Sequence, residues 1–523
     1  MRVNRDPDRT TPRLEQAEDR HSATEKWLYL AVAAIAVAVH LGALWNRFAM
    51  DDRVVIVVNP LVQSGSGIWR AFLEPYWRAE LGAKMYRPLT VATFAVDRLL
   101  DGAPVFHAVN LLWHAGVSVG VAALARRWSG RSAGLVAGTI FAVHPVHVEA
   151  VASLVGRAEV MAALFAVLAV YAALERRSIG WSAAALALGL LSKETAAVAP
   201  GLIVWGWLLG FSRPPRRRLV GFTASWLAIG AAYVACRWAV LHPYGAGIGA
   251  GGGLAPVFRG ESPFAMRLTA VAALADVARL LVFPLTLRAD YSPAERTIVR
   301  SPVDVRFALG LLVLALWVGV VVLAWRRGRR TEAYGLGWIA LAFVPVANLL
   351  VPVGILVAER TLYLPSVGLA LAAGGWSRGR SPRRLAPALA AIVVAGAVRT
   401  ALRVPVWRDD DSLTASMLDD SPRSYVALSR AALRLQHAGK TEQALRGFRL
   451  AIAAYDREPM VFVSAADAAF TLGRPRLADS LLLGAVRRCG RCVGQFRFQV
   501  AVARSRGDSA VADSLLARLA EAP

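Results

Sequence analysis

Eleven apolar stretches run through this chain, and five short clusters of arginine lie between them. About 20 apolar residues cross the roughly 30 Å hydrocarbon core of a bilayer as one helix. Hydrophobic residues make up 56% of the 523 residues, above the roughly 45–50% typical of soluble domains. The sequence therefore predicts an all-α, polytopic membrane protein of about 11 transmembrane helices. The predicted spans are 27–46, 105–125, 132–146, 158–175, 180–192, 195–211, 218–241, 305–325, 334–353, 361–376 and 385–405.

The arginine clusters predict the topology of these spans. The net charge of +24 comes from clusters between apolar stretches, which is typical of membrane topology and not of a nucleic-acid-binding face, so no nucleic acid is expected as a partner. With residues 1–26 as a cytoplasmic tail, every cluster falls in the cytoplasm and the C-terminus lies outside. The arginine-rich, lysine-poor composition favours a bacterial source, hence the inner membrane. The clusters are Arg126/Arg127/Arg131, Arg176/Arg177, Arg213/Arg216/Arg217/Arg218, Arg326/Arg327/Arg329/Arg330 and Arg378/Arg380/Arg383/Arg384.

Three regions follow from this topology: the tail 1–26, a transmembrane domain 27–405 and a C-terminal domain 406–523. The transmembrane domain contains an outer loop 47–104 and an interfacial segment 245–300. Within that segment, residues 264–289 contain four charged residues and would break the charge parity if they spanned the membrane. They are predicted to form an amphipathic helix in the outer interface, after a flexible glycine-rich loop at 245–253.

A 34-residue period marks the C-terminal domain. Glycine recurs every 34 residues, and each glycine is followed five positions later by alanine. Glycine in an inter-helix turn and a small residue in the second helix predict a solenoid of about three tetratricopeptide-like repeats. Its concave face is expected to bind a peptide; alternatively, the repeats only cap or dimerise the protein. The residues are Gly439, Gly473, Gly507, Ala444, Ala478 and Ala512.

The three cysteines are too few for a disulfide scaffold. Cys489 and Cys492 form a CxxC pair between the second and third repeats, and Cys236 lies in a predicted span. Outside the cytoplasm the pair can oxidise, and CxxC is also a spacing of redox and zinc sites. The state of this pair stays open.

Two adjacent carboxylates, Asp51 and Asp52, begin the outer loop. One of them is expected to act as general base on an acceptor hydroxyl, while the other positions the base or holds a divalent cation. A solvated surface loop is the alternative. Tyr86 and Arg87 belong to the same loop, as candidates for an acceptor or cation site.

A second polar cluster follows the third span. It contains His144, His147 and Glu149, followed by Arg157 and Glu159. Ionisable residues at membrane depth are costly and are functional candidates by default. His147 and Glu149 are candidates for binding a metal or the acceptor, although no HExxH pattern is present. Arg157 is a candidate for a lipid phosphate, because guanidinium binds phosphate with two hydrogen bonds.

Two further charged pairs fall on the same side. Lys193 is either half of a structural ion pair with Glu194 or a phosphate ligand, and Arg360, next to Glu359, is a second phosphate candidate. A channel or pump would distribute charges through the helix centres. A non-enzymatic scaffold needs one or two helices, not eleven. The gathering of charge at one face therefore favours an enzyme over a scaffold or a lipid or solute transporter.

These motifs, in this order, resemble the transmembrane and tetratricopeptide-repeat O-mannosyltransferase family over nearly the whole chain. The resemblance implies the glycosyltransferase C fold and a polyprenyl-phosphate-linked sugar as donor, transferred to a protein hydroxyl in one inverting displacement. It implies Asp51 or Asp52 as catalytic base, and Arg157, Lys193 and Arg360 at the donor phosphate. The motifs are Asp51-Asp52, Tyr86-Arg87-Pro88-Leu89, Asn110 with His114, His144-Pro-x-His147-x-Glu149, Gly156-Arg157-Ala158-Glu159, Lys193-Glu194, Phe283-Pro284-Leu285, Ala289-Asp290-Tyr291-Ser292, Ala358-Glu359-Arg360 with Tyr363, and Val406-Trp407-Arg408-Asp409.

Two departures from the family pattern concern the site and the acceptor. Glu159 stands where the eukaryotic pattern usually has Asp, and about three repeats follow where the animal enzymes carry many. In a bacterium the expected carrier is undecaprenyl phosphate, and the sugar is mannose or another hexose. The sequence leaves open the acceptor, the metal requirement and the choice between the two aspartates.

Overall fold

The computed structural model describes residues 11–77, 85–244, 254–282 and 284–488, together with residues 513, 516 and 517. Within these ranges the chain is helical and contains no strand. The predicted glycine-rich loop at 245–253, Phe283, the Cys489/Cys492 pair and the third repeat with Gly507 and Ala512 lie outside the described residues.

Six helices in the described ranges are long and apolar enough to cross a membrane, or seven spans if a pair bent by 49° counts as one. This confirms an all-helical, multi-pass membrane protein. The six long helices are Thr11–His40, Ala103–Ser129, Arg157–Leu174, Arg216–Leu241, Val305–Arg326 and Pro382–Arg403.

The other five predicted spans correspond to shorter helices, of 10 to 15 residues. Proline accounts for two of these lengths, because it cannot donate the backbone hydrogen bond that continues a helix. Pro145 and Pro345 each follow a helix end within two residues. The count of eleven spans thus stays a prediction. The shorter helices are Arg131–Val143, Ile179–Ser192, Ala199–Leu208, Arg330–Phe343 and Tyr363–Ser377.

Small residues let these helices pack closely. A Cβ atom added to Gly335 would lie 2.3 Å from the carbonyl oxygen of Gly368, and one added to Gly368 would lie 2.2 Å from that of Gly335. Glycine is therefore required at both positions for the backbones of Arg330–Phe343 and Tyr363–Ser377 to touch. One apolar core runs through this bundle, and fully buried Tyr334 and Trp338 belong to it.

The connections at one end of the bundle are largely helical. The loop after the first span contains a π-helical turn Arg53–Val57 and the helices Gly67–Arg70 and Pro88–Arg98. Residues 264–289, predicted as a single amphipathic helix, instead form two helices, Pro263–Ala272 and Leu274–Val282, separated at Ala273. Short 3₁₀ turns lie at Leu41–Trp45, Pro145–His147, Leu154–Gly156, Glu194–Val198, His242–Tyr244, Pro256–Phe258, Val344–Val346, Glu359–Leu362 and Val404–Trp407.

The C-terminal region forms a capped helix followed by two helical hairpins. Gly439 and Gly473 have positive φ angles of 74° and 68° in the hairpin turns, a conformation that glycine adopts without steric cost. Ala444 and Ala478 are fully buried in the second helix of each hairpin. The helices are Asp410–Asp420, Tyr425–His437, Thr441–Ala454, Pro459–Thr471 and Pro475–Arg488.

The hairpins dock on the connections at one end of the bundle. Ser424 Oγ donates to Asp290 Oδ2 at 2.6 Å, Tyr455 Oη donates to the carbonyl of Pro256 at 2.6 Å, and Arg259 forms an ion pair with Glu458 at 2.7 Å. The C-terminal helices are therefore fixed to the segment that follows residue 254.

Candidate active site

Apart from those of the outer loop, the candidate polar residues lie in or next to four short 3₁₀ turns, each of which leads into a helix. These turns are Pro145–His147, Leu154–Gly156, Glu194–Val198 and Glu359–Leu362. The helices that meet at these turns carry the arginine clusters at their other ends. The structure therefore gathers the candidates at one end of the bundle and the arginine clusters at the opposite end.

Proline creates the first of these junctions. His144 precedes Pro145 and is extended (φ −67°, ψ 121°), because the proline ring disfavours a helical conformation in the residue before it. The helix Arg131–Val143 ends there and the chain bends by 49°. The bend carries Glu149 to the wall of a cavity.

This cavity has a volume of about 210 Å³ and contains six of the candidate charged side chains. Asp51 and Arg87 come from the outer loop, and the others from the helix junctions. Aromatic rings suited to sugar stacking complete the wall. The lining residues are Met50, Asp51, Tyr76, Trp77, Met85, Arg87, Glu149, Ser153, Val155, Gly156, Glu159, Lys193, Ala289, Ile355, Arg360 and Trp407.

The structure separates the two adjacent aspartates. Asp51 lines the cavity, whereas Asp52 is 1% exposed and accepts hydrogen bonds from the backbone N–H groups of Ala49 at 3.2 Å and Val155 at 2.9 Å. Burial raises the pKa of Asp52 to about 7. Asp52 therefore ties the outer loop to the Leu154–Gly156 turn and does not face the cavity.

Asp51 is accessible from the cavity and makes no hydrogen bond or ion pair with any residue that the structure describes. Burial raises its pKa above the ordinary aspartate value, against the opposing charges of Arg360 and Arg430. A carboxylate with a raised pKa is a better general base near neutral pH. Of the two aspartates, Asp51 thus has the geometry of a base.

Two cations in the wall are each paired with a carboxylate. Arg360 contacts Glu149 through its guanidinium, and its backbone N–H donates to Glu149 Oε2 at 2.8 Å. Lys193 Nζ contacts Glu159, not the adjacent Glu194. The structure therefore corrects the predicted alternative of a Lys193–Glu194 ion pair. Lys193 is extended (φ −161°, ψ 147°), and an extended backbone directs successive side chains to opposite sides.

Glu194 belongs to a separate network with Arg87 and Arg237. Its two carboxylate oxygens accept from Arg87 and from Arg237, each at 3.0 Å. Burial lowers the pKa of Arg87, but Glu194 together with Tyr76 and Glu159 outweighs it, so the net pKa is raised. The Arg87 guanidinium also lies 5.3 Å from the centre of the Tyr76 ring, so Arg87 is held at the cavity wall from two sides.

Arg157 does not reach the cavity. Its side chain is fully buried, pairs with Asp97 at 2.5 Å, and donates to Asn110 Oδ1 at 2.6 Å and to the carbonyl of Phe106 at 2.8 Å. The guanidinium thus has protein partners on all sides and stabilises the packing of the outer loop against the bundle. The structure does not place it beside Lys193 and Arg360, as the sequence-based interpretation expected.

Four other predicted site residues are also absent from the cavity wall. His144 Nε2 lies 2.9 Å from the carbonyl of Leu281, His147 Nε2 lies 2.7 Å from Ser366 Oγ, and Tyr86 Oη donates to the carbonyl of Phe72 at 2.9 Å. Glu359 accepts from Tyr291 Oη at 3.1 Å, and burial raises its pKa to about 8. The hydrogen bonds of these four side chains stabilise the contacts between neighbouring segments.

Among the described residues, no three His, Cys, Asp or Glu side chains are grouped so that they could hold a metal ion. His147 and Glu149, considered together as metal ligands from their spacing, face different partners: Ser366 and Arg360.

Two residues of this region were not singled out from the sequence: Asp97, which neutralises Arg157, and Arg237, which pairs with Glu194. Trp407, part of the predicted Val406-Trp407-Arg408-Asp409 motif, lines the cavity although it follows the predicted domain boundary at 405/406. An arginine inside an apolar span is itself a signal, so Arg237 could have been found. Asp97 had no such signal, because its loop was not predicted to contain a helix.

The fold and this cavity define a class: a multi-pass helical membrane protein with three cations in one cavity wall, beside a carboxylate that has no partner among the described residues. Residues 103–239 match the family model described as dolichyl-phosphate-mannose-protein mannosyltransferase. The chain is similar to protein O-mannosyltransferases, which confirms the resemblance predicted from the motifs.

Individual relatives agree with this family. The chain is 28% identical to human protein O-mannosyl-transferase TMTC4 over 497 residues, covering 80% of this chain and 65% of the relative. It is 27% identical to mouse protein O-mannosyl-transferase TMTC3 (80% and 50% covered) and 28% identical to human TMTC1 (79% and 54% covered). The alignments thus span about half to two thirds of the relatives' length. No solved structure gives a significant match.

Proposed function

We propose that this protein is a membrane glycosyltransferase that moves a hexose, mannose or another, from a polyprenyl-phosphate carrier to a hydroxyl group of a protein acceptor. The observation that carries this proposal is the single cavity in which Asp51, without a partner among the described residues, faces cations from separate helix junctions. The relationship to protein O-mannosyltransferases supports the reaction class.

In the proposed reaction, Asp51 takes the proton of an acceptor hydroxyl while that oxygen attacks C1 of the donor sugar. The bond between C1 and the phosphate oxygen breaks, and the electron pair leaves with the polyprenyl phosphate. The configuration at C1 is inverted because attack and departure occur on opposite faces. Cations at the leaving phosphate stabilise the negative charge that develops there.

We assign the phosphate to Lys193 and Arg360, with Arg87 beside them. Each of the first two is already paired with one carboxylate, but ammonium carries three N–H donors and guanidinium five. Each can therefore keep Glu159 or Glu149 and still donate to phosphate oxygens. Arg157 is left out of the assignment, because Asp97, Asn110 and Phe106 occupy its donors.

Replacing Lys193 by Met should raise the KM for the donor by about 10- to 100-fold, as expected for loss of a charge-assisted hydrogen bond. Lys440→Met is the matched control, because Lys440 is exposed in the turn of the first C-terminal hairpin. Steady-state kinetics with varied donor concentration measure the effect. An unchanged donor KM in Lys193→Met, equal to that of the control, would contradict the assignment.

The transfer rate should depend on pH with a defined sign. Burial raises the pKa of Asp51, and only the ionised carboxylate accepts a proton. We therefore expect kcat/KM to fall on acidification with a midpoint above about 3.9, the ordinary value for Asp. The pH–rate profile should be measured for the wild type and for Asp52→Asn, which removes the second titrating carboxyl. A profile that stays flat down to about pH 4 in both proteins would exclude Asp51 as the base.

For the topology, we propose eleven spans with the N-terminus and the arginine-rich end in the cytoplasm of a bacterium, and the cavity and C-terminal hairpins outside the inner membrane. The positive-inside rule supports this orientation. A separate cavity at the arginine-rich end is lined by Arg329, Arg330, Arg378 and Arg380 and shares no residue with the cavity of Asp51. Two separate cavities favour transfer over transport.

We propose that the two described hairpins are tetratricopeptide-like repeats that recruit the protein acceptor. The 34-residue spacing, the glycine turns and the buried alanines support this assignment. Their docking on the segment after residue 254 keeps them at the end of the bundle that carries the cavity. A scaffold without enzymatic activity would not require these charged side chains in one cavity.

The function is tested by transfer in a defined system. Purified protein in lipid nanodiscs is incubated with polyprenyl-phosphate mannose or glucose and with Ser- and Thr-containing proteins, and the products are analysed by mass spectrometry. We expect the added mass of one hexose on hydroxyl-bearing residues, absent without the polyprenyl-phosphate donor. Failure of both donors with every acceptor tested would reject the proposal.

A further inference from the structure

The backbone next to Asp51 is held in an unusual conformation by a residue from the C-terminal region. Met50 has a positive φ of 50°, which is uncommon for residues other than glycine. The Met50 backbone N–H donates to Asp410 Oδ1 at 2.9 Å. Asp410 is 360 positions away in sequence, at the start of the helix Asp410–Asp420.

Asp410 is charged and held by two arginines. Its other carboxylate oxygen accepts from Arg53 at 3.2 Å, and Arg430 pairs with Oδ1 at 2.5 Å. Burial opposes ionisation, but Met50, Arg430 and Arg53 outweigh it and lower the pKa of Asp410. The Asp410 carboxylate therefore binds one residue before Asp51, Met50, and one after it, Arg53. Through Arg430 it links both of them to the helix Tyr425–His437.

The neighbouring residues of the C-terminal segment support the same loop. The Arg47 N–H donates to the carbonyl of Arg408 at 2.6 Å, and Asn46 Nδ2 donates to the carbonyl of Val404 at 3.3 Å. Trp407 lines the cavity itself. The segment 404–410 thus packs along residues 46–50 and forms part of the cavity wall.

We propose that Asp410 is a positioning residue that directs Asp51 into the cavity, and that its pair with Arg430 makes the C-terminal helices part of the support of the active site. The proposal rests on the proposed function of Asp51 as base. Without the acceptor at Asp410, Met50 loses the partner of its N–H group and is free to leave the left-handed conformation. The direction of the next side chain, Asp51, then changes.

Hydrogen–deuterium exchange of the full-length protein in nanodiscs tests the contact without requiring activity. In Asp410→Ala, amides of residues 49–53 should exchange at least about tenfold faster than in the wild type, because a charge-assisted hydrogen bond is lost. Asp411→Ala is the matched control: Asp411 is the next residue, is 70% exposed and pairs with Arg434 at 2.5 Å. Asp410→Asn keeps an acceptor oxygen and should fall between the wild type and Asp410→Ala. Equal exchange in Asp410→Ala and Asp411→Ala would overturn the proposal.

Kinetics separate positioning from general stability. Asp410→Ala should lower kcat by about tenfold or more and leave the donor KM unchanged, with part of kcat restored in Asp410→Asn. Arg430→Ala should lower kcat, whereas Arg434→Ala should not. Wild-type kcat in Asp410→Ala despite faster exchange would also overturn the proposal.

If no variant and no wild-type protein transfers sugar, the proposed function fails, while the exchange result still decides whether Asp410 orders the loop. Should Asp410→Ala not fold, Asp410→Asn and Arg430→Ala provide the same comparison.

Discussion

Asp51→Asn is expected to lower the rate of sugar transfer by about 10²- to 10⁴-fold, the usual contribution of a general base. Asparagine keeps the size of the side chain but cannot accept the hydroxyl proton. Because Asp51 makes no hydrogen bond to the described residues, the substitution should leave the unfolding temperature unchanged. Transfer is measured with purified protein and a radiolabelled polyprenyl-phosphate sugar.

Asp52→Asn and Asp411→Asn are the controls for this experiment. Asp52 accepts two backbone hydrogen bonds and lies outside the cavity, so its replacement should lower stability and reduce transfer far less than Asp51→Asn does. Asp411 is exposed and should be neutral. A larger loss of transfer in Asp52→Asn than in Asp51→Asn would reverse the assignment of the base.

Arg157→Met is expected to destabilise the protein by about 3–5 kcal/mol, because it leaves Asp97 buried without its partner. The pair has a separation of 2.5 Å, and both side chains are almost completely buried. Denaturant unfolding in detergent measures the change. Arg98→Met is the control, since Arg98 pairs with Asp101 at an exposed turn, where an ion pair contributes about 0–1 kcal/mol.

The double variant Arg157→Met with Asp97→Leu should recover part of the stability lost in Arg157→Met, because no unpaired charge remains buried. If Arg157→Met instead unfolded like the wild type and showed a raised KM for the donor, Arg157 would be a phosphate ligand after all. The stability measurement thus decides between the two roles considered for this arginine.

The helical architecture was largely predictable from the sequence, because apolar length and charge clusters are properties of contiguous residues. Each of the eleven predicted stretches overlaps a helix, from Thr11–His40 to Pro382–Arg403. Their lengths were less predictable: Pro145 and Pro345 end helices that composition alone would extend. The same limit applies to 264–289, where one predicted helix is two.

The set of candidate site residues was also predictable, since costly charges at membrane depth stand out in an apolar chain. Their individual contacts were not. Asp51 and Asp52 are adjacent, yet the backbone N–H groups of Ala49 and Val155 bind Asp52, and only Asp51 lines the cavity. Arg157 and Arg360 have the same side chain, but only Arg157 meets Asp97. These outcomes depend on tertiary partners distant in sequence.

We propose that the donor phosphate binds between Lys193 and Arg360, with its sugar beside Asp51. The most direct measurement is a cryo-electron microscopy map of the full-length protein in nanodiscs with a non-reactive polyprenyl-phosphonate sugar. We expect density for the phosphonate at these two cations and for the sugar ring in the cavity lined by Asp51 and Trp407. Density for the headgroup at the arginine-rich end, beside Arg329 and Arg378, with an empty cavity at Asp51, would exclude this binding mode.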